Sequence, residues 1–313
     1  PTRRTPTTRA ARHAMSVAAP PSLPITPDDV IRELAHEDDR VVIQAASALG
    51  ALAVRVPLPP SFAPVVDVLV REVLQKLTTN KRAQAAALAG LAGLIATVDG
   101  ARAAALSANV IHATMTHALD HGRAVDVDDS EDDGATASCC VNALDCFRFL
   151  QNGEDDGGLK ATLGDSACVE FVLACAKRDG SSELDAMKRV GGVDLVVNIA
   201  QQLTEDEAGF DDFMRRGAFE CFTSALRRDD DDVAVRGCIG LACALPRRRA
   251  LRTQLASDGN AVRRLASLMG SGDEDVKGFA SGLFRALAMD PETKPFVEKA
   301  LRDGAGGGAV DSA

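Results

Sequence analysis

Residues Arg40–Val54 read RVVIQAASALGALAV, and residues Arg82–Ala96 read RAQAAALAGLAGLIA. Laid over each other at an offset of 42 residues, they place Leu49 on Leu91 and Leu52 on Leu94. The same offset returns near the C-terminus. Gly240-Leu241 falls on Gly282-Leu283, Ala244-Leu245 on Ala286-Leu287, Gly217 on Gly259 and Leu226 on Leu268. Short Ala/Leu-rich helices recurring about every 40 residues mark a helical solenoid, whose units bury their apolar faces by stacking on one another. Such an array grows by addition, so 313 residues need not divide into several compact domains.

Composition supports an all-α reading. The chain is 46% hydrophobic but holds 11 Phe, no Trp and no Tyr. Ala, Leu and Val must therefore fill the core, which suits helices in close contact and disfavours a β-sandwich. No window joins 18 apolar residues without charge or glycine, so no membrane span is expected. The net charge is −10, and the first 27 residues carry four arginines and no acid, so the body is more acidic still. An acidic body lacks the basic stripe that nucleic-acid binding needs. It favours solubility and is compatible with a basic partner. The cysteines are Cys139, Cys140, Cys146, Cys168, Cys175, Cys221, Cys238 and Cys243, with no CxxC among them. Lying in apolar helical runs, they read as small buried hydrophobes in a reducing compartment, taken as the cytoplasm.

Residues 1–27, rich in Pro, Thr, Ala and Arg, have no helical period, and composition predicts disorder. Two readings fit this leader: an organelle transit peptide, or residues lying ahead of a start at Met15. Order is predicted from Thr26, an N-cap followed by Pro27 at the first helical position and by Asp28 and Asp29 in the first turn. The repeat body then runs over 28–302. Asp38-Asp39 opens the helix carrying Leu49, a helix over 63–77 follows the Pro57–Pro60 break, and Asn80 starts the Leu91 helix. A helix over 103–121 is expected next. The acidic loop 123–134 follows it and contains DVDDSEDD, Asp126–Asp133. Leu144 lies 53 residues after Leu91, which reads as one period with this loop inserted. Residues 150–210 look irregular. The C-terminal units are cleaner, each with a glycine break at Gly217 or Gly259, an amphipathic helix, an acidic turn and a second apolar helix. The breaks are expected to use glycine's tolerance of positive φ, and the acids at 229–232 and 273–275 to cap the helix that follows. One helix, Lys294–Leu301, closes the array, and the Gly-rich tail 303–313 is expected to be disordered.

Three helices per unit, a glycine between the first two and a long third helix resemble the armadillo repeat, above all in GNAVRRLASLMGSGDEDVKGFASGLFRALA, residues 259–288. The resemblance covers roughly 28–301 and is strongest from about 210 onward, with HEAT repeats the near alternative in the N-terminal half. It implies a right-handed all-α solenoid of about six armadillo-like units. It also implies a groove along the third helices that takes a protein segment. In the family's peptide binders an Asn on each third helix clamps the peptide backbone, often with a Trp one turn away. The matching positions here read as Ala51, Gly93, Cys146, Cys243 and Arg285, with no Asn and no Trp. Small residues there would pack helices tightly, or leave a smooth groove for a helix or an apolar surface.

Other constellations carry less. A calcium loop begun at Asp129 would put Cys140 where a bidentate Glu is required, so that motif fails. His117 and His121, with His112 nearby, have only Asp120 as a further metal ligand. All five His precede residue 122 and every Cys follows 138, which does not suit a Cys–His pair in a quasi-linear array. Phosphate-binding glycine motifs are absent. Arg227-Arg228, Arg247-Arg248-Arg249 and Arg263-Arg264 recur in successive units. They read as a solvated face neutralising Asp229–Asp232, or as an arginine ridge for a partner. The expectation is a monomeric, non-enzymatic scaffold or adaptor without cofactor. Arg285, Arg248, Arg249, Arg236 and Asn142 are its candidate partner contacts. Two rival classes are a nucleotide-exchange co-chaperone with this fold and a structural subunit supporting a separate catalytic chain.

Overall fold

The computed structural model describes residues 25–119, 131–153, 155–246 and 248–306. Six long helices form its spine: α2 (Asp39–Arg55), α4 (Lys81–Thr97), α7 (Glu131–Gln151), α10 (Glu183–Gln202), α13 (Asp231–Ala244) and α16 (Glu274–Met289). Each packs on the next in chain order. Shorter helices back them: α1 (Pro27–Leu34), α3 (Val65–Val68, running on as a π-helix through Leu74), α6 (Val110–Ala113, continued likewise to Ala118), α9 (Ser166–Ala176), α12 (Phe219–Leu226) and α15 (Gly259–Leu268). Four more, α5 (Ala101–Ser107), α8 (Gly157–Gly164), α11 (Glu207–Phe213) and α14 (Arg249–Ser257), supply the first helix of a unit, and α17 (Lys294–Gly306) packs on the last unit. The six stacked third helices are the all-α solenoid expected from the 42-residue offset.

Local sequence sets the helix starts. Thr26 and Asp29 form a reciprocal capping box at α1. Asp38, Asn80, Ser182, Asp230 and Asp273 cap α2, α4, α10, α13 and α16 through their side chains. Each such cap contributes about 1 kcal/mol.

Several expectations are corrected. The described part of the expected 103–121 helix is two helices, because Asn109 adopts φ 54° between α5 and α6. The stretch expected to be irregular, 150–210, holds a regular unit of α8, α9 and α10 over residues 157–202. Glu131, Asp132 and Asp133 belong to the first turn of α7, so the acidic loop ends before them, and residues 120–130 lie outside the described residues. The closing helix reaches Gly306 rather than Leu301. Residues 1–24 and 307–313 also lie outside. Gly217 has the expected positive φ, 115°. Gly259 does not; there the Asp258 carboxylate caps α15 by accepting from Asn260 N and Ala261 N, both at 3.1 Å.

Close backbone approach compensates for the scarcity of aromatics. A Cβ on Gly93 of α4 would lie 2.7 Å from Ala53 Cβ of α2. On Gly237 of α13 it would meet Leu226 N of α12 at 2.6 Å, and on Gly192 of α10 it would meet Ala176 N of α9 at 2.5 Å. Gly192 and Gly237 thus hold the same station in successive units, 45 residues apart rather than 42.

Candidate protein-binding groove

The exposed and half-buried positions of the third helices face a groove. Two adjoining clefts, of about 530 and 490 Å³, share Gly50 and Ala51 of α2, Ala89 of α4 and Asn142 of α7. A further cleft of about 330 Å³ lies between α7 and α10, lined by Leu144, Asp145, Met187 and Asp194 among others. Another, of about 340 Å³, lies between α13 and α16 beside Leu245, Pro246, Phe279 and Ala286. Phe279 and Met289 near this end are exposed large hydrophobics, Met289 at 73%. The guanidinium of Arg252 borders the same cleft; its Nε has no hydrogen-bond partner and lies 3.6 Å from the Asp290 carboxylate.

The groove register differs from that read in the sequence. Ala51 and Gly93 line it, as expected. Cys146 does not: it is fully buried, with Sγ 3.2 Å from Leu88 O. On α7 the groove side is Asn142, Asp145 and Phe149. The Gly192–Gly237 equivalence also sets Asn198 of α10 in register with Cys243 of α13. Asn198 is half-buried, one helical turn beyond Asp194 on the same face. At this station on α10, for which the sequence reading named no residue, stands Asn198. Its signal was the Asn198-Ile199-Ala200 run. It was missed because the spacing into this unit departs from 42.

The five candidate contacts fall in different settings. Arg285 is exposed and makes no ion pair or hydrogen bond among the described residues. Asn142 lines both N-terminal clefts, but its Nδ2 already donates to Ala85 O at 2.9 Å. Arg236 Nε donates to Asp194 Oδ1 at 2.5 Å. Arg248 is held by Asp211 at 2.5 Å and lies 4.0 Å above the Phe210 ring. Arg249 pairs with Glu292, and its side chain stays 71% exposed. The remaining arginines of the expected ridge mostly tie neighbouring units together. Arg264 donates to Arg228 O at 3.0 Å, Asp229 O at 2.9 Å and Asp231 Oδ1 at 2.7 Å. Arg228 pairs with Asp179 of the preceding unit, and Arg227 with Asp258 at 3.1 Å. Arg247 lies outside the described residues.

The cysteines are poor nucleophiles where they stand. Burial pushes the Cys140 thiol up to about 11 and those of Cys139, Cys221 and Cys238 to about 12. It raises Cys146, Cys168 and Cys175 as well. Only the thiolate is reactive, so raised values suppress chemistry at neutral pH. Burial also raises the Asp145 carboxyl, against the opposing pull of Arg148 at 2.9 Å. His112 approaches Asp165 at 3.7 Å, while His121 and Asp120 lie outside the described residues. Among the described residues, no group of three or more His, Cys, Asp or Glu side chains is placed to hold a metal. No described helix is long and apolar enough to cross a membrane.

These features define a helical-repeat protein with an open groove along its third helices. Its fold is of the armadillo type. No protein-family profile matches the chain, and no curated protein matches it. A designed armadillo repeat protein superposes with a TM-score of 0.61 at 17% identity, over 83% of this chain and 99% of its own. Another, solved in complex with the peptide (KR)4, gives 0.60 at 15% identity over 83% and 98%. Computationally designed armadillo repeat proteins for modular peptide recognition give 0.61 at 16% over 83% and 98%. At such identities the likeness is one of fold.

Proposed function

We propose that this protein is a non-enzymatic scaffold or adaptor, monomeric and cytoplasmic, that holds a segment of another protein in its third-helix groove. The observation carrying this reading is the continuity of the two N-terminal clefts across α2, α4 and α7. An open apolar channel bordered by a few polar groups is what a protein segment needs in order to bury side chains. The designed neighbours titled for peptide recognition supply a precedent on this fold. The acidic body disfavours nucleic acid.

Of the five contact candidates, Arg285 is the most available, because no acid among the described residues engages it. Arg249 and Asn142 follow. Arg236 and Arg248 would have to exchange a carboxylate partner for a new one. The test is affinity capture with the full chain, repeated with Arg285→Glu and Arg249→Glu. Loss of a stoichiometric protein partner from the variants supports the reading. Equal recovery removes the arginines from it, and capture of no partner by any version overturns the scaffold role.

A further inference from the structure

We infer that the N-terminal groove over α2, α4 and α7 is a receptor for an acidic amphipathic helix, as distinct from an extended or basic peptide. This rests on the scaffold reading and specifies its partner class. Three observations combine. The floor is built from small side chains, with Ala51, Ala89 and Gly93 at its centre. Its borders carry Arg55 on α2 and Arg82 on α4, both exposed and without an ion pair or hydrogen bond among the described residues. The acid that lines it, Asp145, already pairs with Arg148 at 2.9 Å.

Cations without a partner among the described residues stand out on a chain of net charge −10. Elsewhere Arg102, Arg178, Arg228, Arg236, Arg248 and Arg264 each engage an acid of their own chain. Two guanidiniums that meet no acid among the described residues give the groove a positive rim above an apolar floor. Complementarity then asks for acids on the ligand and repels a basic one. The neighbour crystallised with (KR)4 takes a peptide of the opposite charge.

The choice between helix and extended strand follows from hydrogen-bonding capacity. An extended segment must pair its backbone N–H and C=O groups with the receptor, or bury them unpaired. The Ala51 and Gly93 positions have no side-chain donor or acceptor, and one Asn142 Nδ2–H is already used on Ala85 O, so few side chains on the floor are left to pair an extended backbone. A helix satisfies its own backbone and needs only a smooth surface for its apolar stripe. Three adjacent third helices span roughly 20 Å at the usual interaxial spacing. That length matches about 13 residues of helix.

The test is selection from an unbiased phage-displayed library of random peptides, about 16 residues long to cover that span, against the immobilised full chain. The counter-targets are Ala51→Phe, which fills the groove from an exposed position, and the double variant Arg55→Glu/Arg82→Glu. Circular dichroism and thermal melting first establish that both variants fold. The expected result is enrichment of acidic, helix-periodic peptides that gain helicity on binding. Ala51→Phe should abolish their binding, and the arginine double variant should weaken it by about tenfold or more at low salt. Enriched peptides that are basic or proline-rich, or that bind the double variant equally, would overturn the inference while leaving the scaffold reading intact. Enrichment of no peptide sensitive to Ala51→Phe would overturn the inference and remove the groove from the scaffold reading too.

Discussion

Arg236 of α13 reaches back to Asp194 of α10, 42 residues earlier, and places Nε 2.5 Å from Oδ1. Both side chains are 29% exposed, so solvent only partly screens the pair. It ties two third helices at the groove. Removing either partner should cost about 1 kcal/mol. In a double-mutant cycle with Asp194→Ala and Arg236→Ala, followed by urea unfolding, most of that energy should appear as coupling. Additive costs would show that the contact contributes nothing between units.

Two glycines that look equivalent in the repeat should respond differently. Gly217 lies at φ 115°, so Gly217→Ala forces an L-residue into the left-handed region and should cost about 1–2 kcal/mol. Gly259 opens α15 behind the Asp258 cap, with only ordinary contacts around an added methyl. Gly259→Ala should be neutral or slightly stabilising. Urea midpoints distinguish them, and equal shifts would contradict the backbone assignment.

A second pair separates packing from conformation. Gly237→Ala would drive a methyl to within 2.6–2.7 Å of the α12 backbone, which cannot rotate away. A loss of about 1–3 kcal/mol is expected. Gly282, on the last third helix, has nothing within 4 Å of such a methyl, and Gly282→Ala should stabilise by up to about 1 kcal/mol. Thermal melts of the two variants should move in opposite directions.

Thiol labelling should read the core directly. Seven of the eight cysteines are buried, and Cys243 is half-buried. In the native protein at neutral pH an alkylating reagent should modify Cys243 first and slowly, and all eight together after unfolding. Rapid native labelling at Cys139 or Cys140, located by peptide mass spectrometry, would show that α7 is not packed as described.

Asp185 carries a pH-dependent part of the stability. Hydrogen bonding from Arg178, then from Ser182 at 2.9 Å, holds its carboxyl below the usual range. A depressed folded value contributes stability that is complete above the unfolded value of about 3.9. That stability is lost as pH falls through the folded value. Asp185→Asn should therefore lower the urea midpoint at pH 7, and the difference from wild type should shrink as the pH drops below about 4. A difference independent of pH would assign the effect to shape rather than charge.

Much of the architecture was legible because its causes are local or strictly periodic. Thr26, Asp38 and Asn80 cap the helices expected of them, since capping depends on residues two or three positions away. The α8–α10 unit was not legible, and neither was the register of Asn198 with Cys243. The spacing between the Gly192 and Gly237 stations is 45, so a fixed offset of 42 slides past both. Cys146 was set on Gly93 by reading the 53-residue spacing as one period plus the inserted loop, and it proved to be core.

The sequence by itself determined a stacked array of Ala/Leu helices, because hydrophobic period, helix caps and breaks are written over a few adjacent residues. Tertiary structure alone decided which arginines meet an acid among the described residues. Arg236, Arg248 and Arg264 find their acids 33–42 residues away, at distances set by how one unit stacks on another. Arg55, Arg82 and Arg285 are the same residue type, yet stacking brings no acid to them among the described residues. Charge can be counted along a chain; its pairing depends on the register between helices.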